Sequence, residues 1–375
     1  MKKLKQVYLD YNASTPIAPE VREAMLPFLE KHYGNPSALH FEGVHGKRAV
    51  ENARKQVSTI LKCQPSEMIF TSGGSESNNH VLKGVYSTFR QKGNHIITTT
   101  IEHPSIINPC KYLESIGAKV TYVRVDHFGR VNPNDIRAAI TKETILISVM
   151  HSNNEVGTIQ PIKEIGEIAK EHDILFHTDA SQSVGKVLLD VKELNVDFLT
   201  IAGHKLYAPK GIGALYIREG IDIEQLIHGA GHEGGKRAGT ENVVFAVGLG
   251  KACEVGNESM EQNEHVRALR DYFWQQLKAH FKDMVTLNGH PEYRLPNTLN
   301  INFTKRIGQD ILTTIPQLAA STGSACHSGE VTLSPVLKAM GVNEEEGKGA
   351  IRFSLGRYST KEEIDYALSL IKQGY

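Results

Sequence analysis

What this 375-residue sequence lacks excludes several classes of protein. Cysteine is scarce: Cys63, Cys110, Cys253 and Cys326 are scattered with no Cys-x-x-Cys pair. A disulfide framework or a zinc knuckle is therefore not expected, and each cysteine reads as a free thiol in a reducing cytoplasm. Charge of one sign is not in excess. The 42 basic residues balance the 42 acidic ones, which argues against nucleic acid as a direct partner, since such binding needs many uncompensated lysines and arginines. No run of about 18 apolar residues occurs, so no membrane-spanning helix is expected. The first residues carry lysines but run into Asp10, Tyr11 and Asn12 without the apolar core of an export signal. Tandem repeats and low-complexity linkers are also missing.

A chain of this length exceeds the usual size of a single core, so a large domain with a smaller companion is expected. From about residue 65 to 220, short apolar runs alternate with amphipathic helical stretches, the pattern of an α/β fold with a mostly parallel sheet covered by helices. The strand candidates are Met68 to Thr71, His95 to Thr99, Lys119 to Val125, Thr144 to Met150, Ile174 to Thr178, Phe198 to Ala202 and Gly213 to Ile217. Between them, Ile162, Ile165 and Ile168 recur at helical spacing. One long helical stretch, from about Asn242 to Phe281, is expected to bridge to an α+β region with strands at Met284 to Leu287 and Thr298 to Phe303 and a last helix at Lys361 to Lys372. The expected division is a large domain at 16–258 and a smaller one made of 1–15 and 259–375.

Four segments carry chemistry. Phe70-Thr-Ser-Gly-Gly-Ser-Glu-Ser-Asn-Asn79 reads as a strand, a glycine turn and a helix start, where free backbone N–H groups, the helix dipole and the Ser75 hydroxyl suit a phosphate; an ordinary turn and cap would look similar. Asp179 ends an apolar strand at the edge where open α/β sheets bind ligands, and a carboxylate there needs a cation such as a protonated pyridine nitrogen, unless it merely caps the next helix. Lys205 ends a second strand on the same edge, beside His204, and can capture an aldehyde; alone, it would read as a solvated lysine. Cys326 stands in Gly323-Ser-Ala-Cys-His-Ser-Gly329, a run of small residues that reads as a mobile, exposed loop presenting a reactive thiol, whereas Cys63 and Cys253 sit among larger apolar neighbours.

The histidines need alternatives. His103, before Pro104, is either a helix-entry residue or a ring stacked on a cofactor. His228 and His232 have the spacing of zinc ligands on a helix, but their glycine-rich segment is a poor helix and no metal site is expected. Lys236, Arg237 and Thr240, which follow, suit an anion or a neighbouring subunit.

Taken in order, these segments resemble the cysteine desulfurases, pyridoxal-phosphate (PLP) enzymes of aminotransferase fold type I and class V. The resemblance runs from Tyr8-Leu-Asp-Tyr-Asn-Ala-Ser14 through Glu102-His103, Asn153-Asn-Glu155, Asp179-Ala-Ser-Gln182, Gly203-His-Lys205, Arg237-Ala-Gly-Thr240 and Gly323-Ser-Ala-Cys326 to Ile351-Arg-Phe-Ser-Leu-Gly-Arg357. It implies a large PLP-binding domain with a seven-stranded sheet, and a small domain carrying the catalytic cysteine. It further implies that Lys205 binds the cofactor covalently, Asp179 partners the pyridine nitrogen, Gln182 the ring hydroxyl, and His103 stacks on the ring and moves protons. Gly74, Ser75 and His204 would hold the phosphate, Asn154 and Arg352 the substrate carboxylate. Thr240 would reach the phosphate of a partner subunit in a homodimer. L-Cysteine would yield L-alanine, with sulfur passing to Cys326 as a persulfide for an acceptor such as an iron–sulfur scaffold protein.

Two departures stand out. Ala202 replaces a serine that many relatives use for the phosphate, and His327-Ser-Gly follows the cysteine in place of the more usual Thr-Ser. The Ala-Cys-His-Ser run also resembles selenocysteine lyases and desulfurases dedicated to tRNA or DNA sulfur modification, so these stand as alternatives.

Overall fold

The computed structural model describes residues 6–322, 326–327 and 330–375. Seven strands form one sheet, in which those beginning at Met68, Gly213, Phe198, Leu175, Thr144, His95 and Lys119 lie side by side in that order. All adjacent pairs are parallel except the two that Gly213–Ile217 makes, with Met68–Thr71 and with Phe198–Ala202. Most of these strands are buried throughout. That explains why they read as continuous apolar runs and not as alternating ones: helices cover both faces of such a sheet.

The expected strands are present, with shorter ends. Lys119–Val123 and Thr144–Ser148 stop two residues early, and the fifth strand is Leu175–Asp179, so Asp179 is its last residue. The expected single helix from Asn242 to Phe281 is two, Val243–Glu258 and Gln262–Phe281. The break falls where the Ser259 hydroxyl donates back to the Val255 carbonyl at 2.6 Å, and Asn263 turns its amide to the Gly185 carbonyl at 3.1 Å. Serine and asparagine offer the backbone such alternatives to the helical ladder.

Two apolar clusters flank the sheet, one around Phe176, Leu199 and Leu249, the other around Leu82, Ile96 and Phe198. A third is built from Val7, Leu9 and residues from Val266 to Ile371, around the antiparallel sheet of Val285–Asn288, Thr298–Phe303 and Ala350–Ser354. The backbone at Cys326 and His327 pairs with Val331 and Glu330 in a short antiparallel ladder. Among the described residues, no helix is long and apolar enough to cross a membrane.

Candidate active site

The sheet brings the site together. Leu175–Asp179 and Phe198–Ala202 are parallel neighbours, so their carboxyl ends lie side by side. Chain leaving the second strand enters a short 3-10 turn, Gly203–Lys205. Asp179 and Lys205 thus line one cavity, together with Gly74, Ser75, His103, Asn154, Gln182, His204 and Arg352. Two predicted residues are not among them. Thr240 is exposed, on the segment that Arg237 pins to Glu76 with an ion pair of 2.9 Å. Residues 323–325 and 328–329, and the side chain of Cys326, lie outside the described residues, and so does the expectation that this loop is mobile.

At one end of the cavity the chain leaves Met68–Thr71, turns at Gly73 and begins the helix Gly74–Phe89. Gly73 has φ +148°, a conformation that favours glycine. Its lack of a side chain also leaves the helix without a side-chain N-cap, so first-turn N–H groups stay available to an anion. A Cβ at Gly74 would come within 3.1 Å of the Ser181 hydroxyl and 3.4 Å of the Ala202 methyl, so glycine keeps this cradle open. Ser181 was not read from the sequence; it brings a hydroxyl beside the cradle where Ala202 has none.

Asp179 is buried and anchored by two donors, the Ser181 N–H at 2.9 Å and the Asn78 amide at 2.7 Å. Lys205 donates from Nζ to the carbonyls of Asn12 and Ala13, the latter at 2.8 Å. Burial, reinforced by the Arg352 charge, pushes its ammonium down to about 8. Gln182 donates to the Asn12 carbonyl at 2.9 Å and accepts from Lys186 at 3.0 Å. Lys186 is itself pushed down to about 7 by burial and by the charges of Lys205 and Arg352. His204 is held down to about 4, first by burial and then by Lys205.

Arg352 was expected to hold the substrate carboxylate. Here its guanidinium donates to Asp10 at 2.7 Å and to the Asn154 carbonyl at 3.0 Å, while its buried Nε has no partner among the described residues. Asn154 thus contributes its backbone to holding Arg352, and Asn12 donates to the same carbonyl at 3.1 Å. Asp10 and Asn12 belong to the N-terminal motif, but nothing in the motif itself says that it folds back onto Arg352 and Lys205. His103 is a helix-entry residue that also lines the cavity: it caps the helix Pro104–Ser115, its Nδ1 accepting from the Ser105 N–H at 3.1 Å.

Of the other cysteines, Cys110 and Cys253 are buried, whereas Cys63, expected to be buried, is half-exposed with its sulfur 3.6 Å from the Ser58 carbonyl. His228 and His232 part company, the first bonding Glu224 at 2.8 Å and the second accepting from Gly239 N–H at 3.3 Å.

The model of the aminotransferase class-V family matches residues 7–367, and the chain therefore belongs to that family. Relatives narrow the class. A cysteine desulfurase IscS of Dictyoglomus turgidum is 48% identical over 372 residues, covering 98% of this chain and 94% of that one. One from Clostridium botulinum strain Hall is 49% identical with the same coverage. Among solved structures, a NifS-like protein superposes with a TM-score of 0.92 at 38% identity, covering 98% of both chains. SspA in complex with cysteine superposes at 0.82 with 39% identity, covering 94% of this chain and 100% of that one. Within the class-V family, this chain belongs to the cysteine desulfurases.

Proposed function

We propose that this cysteine desulfurase works with PLP, converting L-cysteine to L-alanine and taking the sulfur on Cys326 as a persulfide. The observation that carries the reading is the convergence of the Lys205 amine and the Asp179 carboxylate on one cavity, opposite a glycine cradle at a helix N-terminus.

The residues present fit this cofactor. The open cradle at Gly74, with Ser75, Ser181 and His204 around it, suits the phosphate; buried Asp179 suits a protonated pyridine nitrogen; Lys205 suits the aldehyde. When bound, PLP supplies an electron sink for the substrate's α-carbon. The rest falls to the chain. Asp179, anchored by Asn78 and Ser181, would keep the ring nitrogen protonated. Lys205, its amine pushed down to about 8, would hold or release a proton at Nζ near the cofactor's aldehyde carbon. Arg352 would meet the substrate carboxylate, with Asp10 as the counter-ion that shares or yields it. The Cys326 thiolate attacks the substrate sulfur, the S–S bond forms, and the electron pair of the breaking C–S bond stays with the carbon fragment that leaves as alanine.

The homodimer reading is supported by exposed Thr240 and by the exposed side chains of Leu29, Tyr33, Leu39 and Phe41, an apolar surface that a second copy would cover. The division at about residue 258 is supported by the third cluster, which joins Val7 and Leu9 to residues beyond 259. Delivery to an iron–sulfur scaffold protein is supported by the IscS names of the relatives, and a reducing cytoplasm by the free thiols of Cys63, Cys110 and Cys253. Lys205→Ala tests the reading: it is expected to abolish the cofactor's visible absorption and alanine formation together. Retained turnover would overturn the assignment.

A further inference from the structure

A chain of hydrogen bonds leads from the floor of the cavity to its rim. The Asn78 side chain places Nδ2 2.7 Å from Asp179 Oδ2 and 2.8 Å from Ser105 Oγ. Ser105 Oγ lies 2.8 Å from His103 Nδ1, and the Ser105 backbone N–H donates to the same nitrogen at 3.1 Å. The directions of these bonds are forced. A carboxylate only accepts, so Asn78 turns its NH2 toward Asp179 and has one further hydrogen, which goes to Ser105. Ser105 Oγ, accepting there, has its own hydrogen left for His103. Two donors then converge on Nδ1, which must carry a lone pair, so the ring proton sits on Nε2.

We infer that Ser105, ordered by Asn78, is a positioning residue that holds His103 as a neutral ring with its proton on Nε2, ready to donate and closed to accepting a second proton. The inference rests on the reading of the cavity as the reaction site, but the bond chain lies wholly within the protein. Protonating Nδ1 would break the backbone bond that caps the helix Pro104–Ser115 and would force Ser105 Oγ to turn from donor to acceptor. Other charges facing the ring pull both ways: Asp179 favours its protonation, whereas Lys205 opposes it and His204 stands close on the same turn. Burial and Lys205 together outweigh Asp179, and the ring is held below its ordinary range, as the bond directions require. Glu102, the preceding residue, points away, accepting from Thr99 Oγ1 and the Met150 N–H. His103 therefore serves the reaction by donating a hydrogen bond from Nε2, and a proton taken from substrate goes to the Lys205 amine instead.

Long-range proton–nitrogen correlation on protein labelled at histidine tests this, with the His103 signals assigned by their loss in His103→Gln. Wild-type protein, with PLP and without it, is expected to show Nδ1 as an unprotonated acceptor and Nε2 protonated. Removing one donor in Ser105→Ala should raise the His103 pKa by about half a pH unit or more and move the acid limb of kcat/KM for cysteine with it, while Ser105→Thr restores both. A proton on Nδ1 in the wild type, or an unshifted His103 in Ser105→Ala, would overturn the inference. Should Ser105→Ala fail to fold, the wild-type tautomer and the Ser105→Thr titration still decide. The measurement without PLP separates this inference from the cofactor assignment, because loss of the cofactor reading leaves the tautomer unchanged.

Discussion

Burial sorts the cysteines. It pushes the Cys63 and Cys110 thiols up to about 12, and Cys253, wholly enclosed, is raised as well. Thiols so raised are poor nucleophiles at neutral pH, which supports the proposal that Cys326 receives the sulfur. Cys326→Ser is expected to keep the cofactor's visible band while losing persulfide and on the order of 100-fold in alanine production, since a hydroxyl cannot replace a thiolate in attack on sulfur. Peptide mass spectrometry after cysteine treatment checks it, and extra sulfur on Cys63, Cys110 or Cys253 would sink the assignment. Lys205 allows a second test at this scale. An amine must be neutral to attack an aldehyde, and this one is pushed down to about 8. Uptake of PLP by cofactor-free protein should therefore accelerate as pH rises and level off above about 8. A rate that is flat from pH 6.5 to 9 would show that burial does not lower this amine.

Among elements, the glycine-rich segment after His228 is the one whose order needs explaining. It is pinned from below. Arg54, on the helix Phe41–Leu61, pairs with Glu233 at 2.7 and 3.1 Å, and the same carboxylate accepts from the Phe70 N–H at 2.8 Å. Glu233 takes a positive φ of 50°, followed by Gly234 and Gly235 at 65° and 82°, so the ion pair holds a turn that is strained at its first residue. Further along, Arg237 reaches Glu76 in the first turn of the helix that opens the cradle. The segment is thus fastened, at Arg237, to the helix that opens the cradle. Arg54→Met would strand a buried carboxylate and is expected to cost about 3 kcal/mol in denaturant unfolding, with weaker retention of PLP. Unchanged stability would show that solvent reaches Glu233 once the pair is broken.

For the whole molecule, buried histidines set the response to acid. His80, His151 and His177 are each held down to about 4 by burial. An unfolded histidine titrates near 6.5, so between that pH and about 4 the unfolded chain binds more protons than the folded one. Stability is then full above about 6.5 and falls as pH drops toward 4. Glu102, pushed up to about 8 by burial, works the other way, as do Glu155 and Asp197, but the lowered histidines, His204 among them, outnumber these carboxyls. The denaturation midpoint should therefore be clearly lower at pH 5 than at pH 7.5, and His151→Gln should flatten the difference. Equal midpoints would mean that the rings are already charged in the fold.

The amino-acid sequence by itself determined the strands of the main sheet, because strands buried on both faces are written as apolar runs between glycine turns. It determined the candidates for the cofactor as well: a carboxylate and a lysine at strand ends and a Gly-Gly-Ser turn are local patterns, each tied to an element that local chemistry defines. Pairing across the chain was decided only by tertiary structure. Asp10 meets Arg352 across 342 residues, and Asn12 gathers Lys205, Gln182 and Asn154 around two of its atoms. The break at Ser259 was hidden for a related reason: helical periodicity runs on through it, and only the Gly185 carbonyl shows where Asn263 turns. Nor does any spacing reveal that Asn78 links Asp179 to Ser105, since that bond exists only once two helices and a strand end have packed together. Local sequence chooses which groups can do chemistry, and packing chooses which partners set their protons.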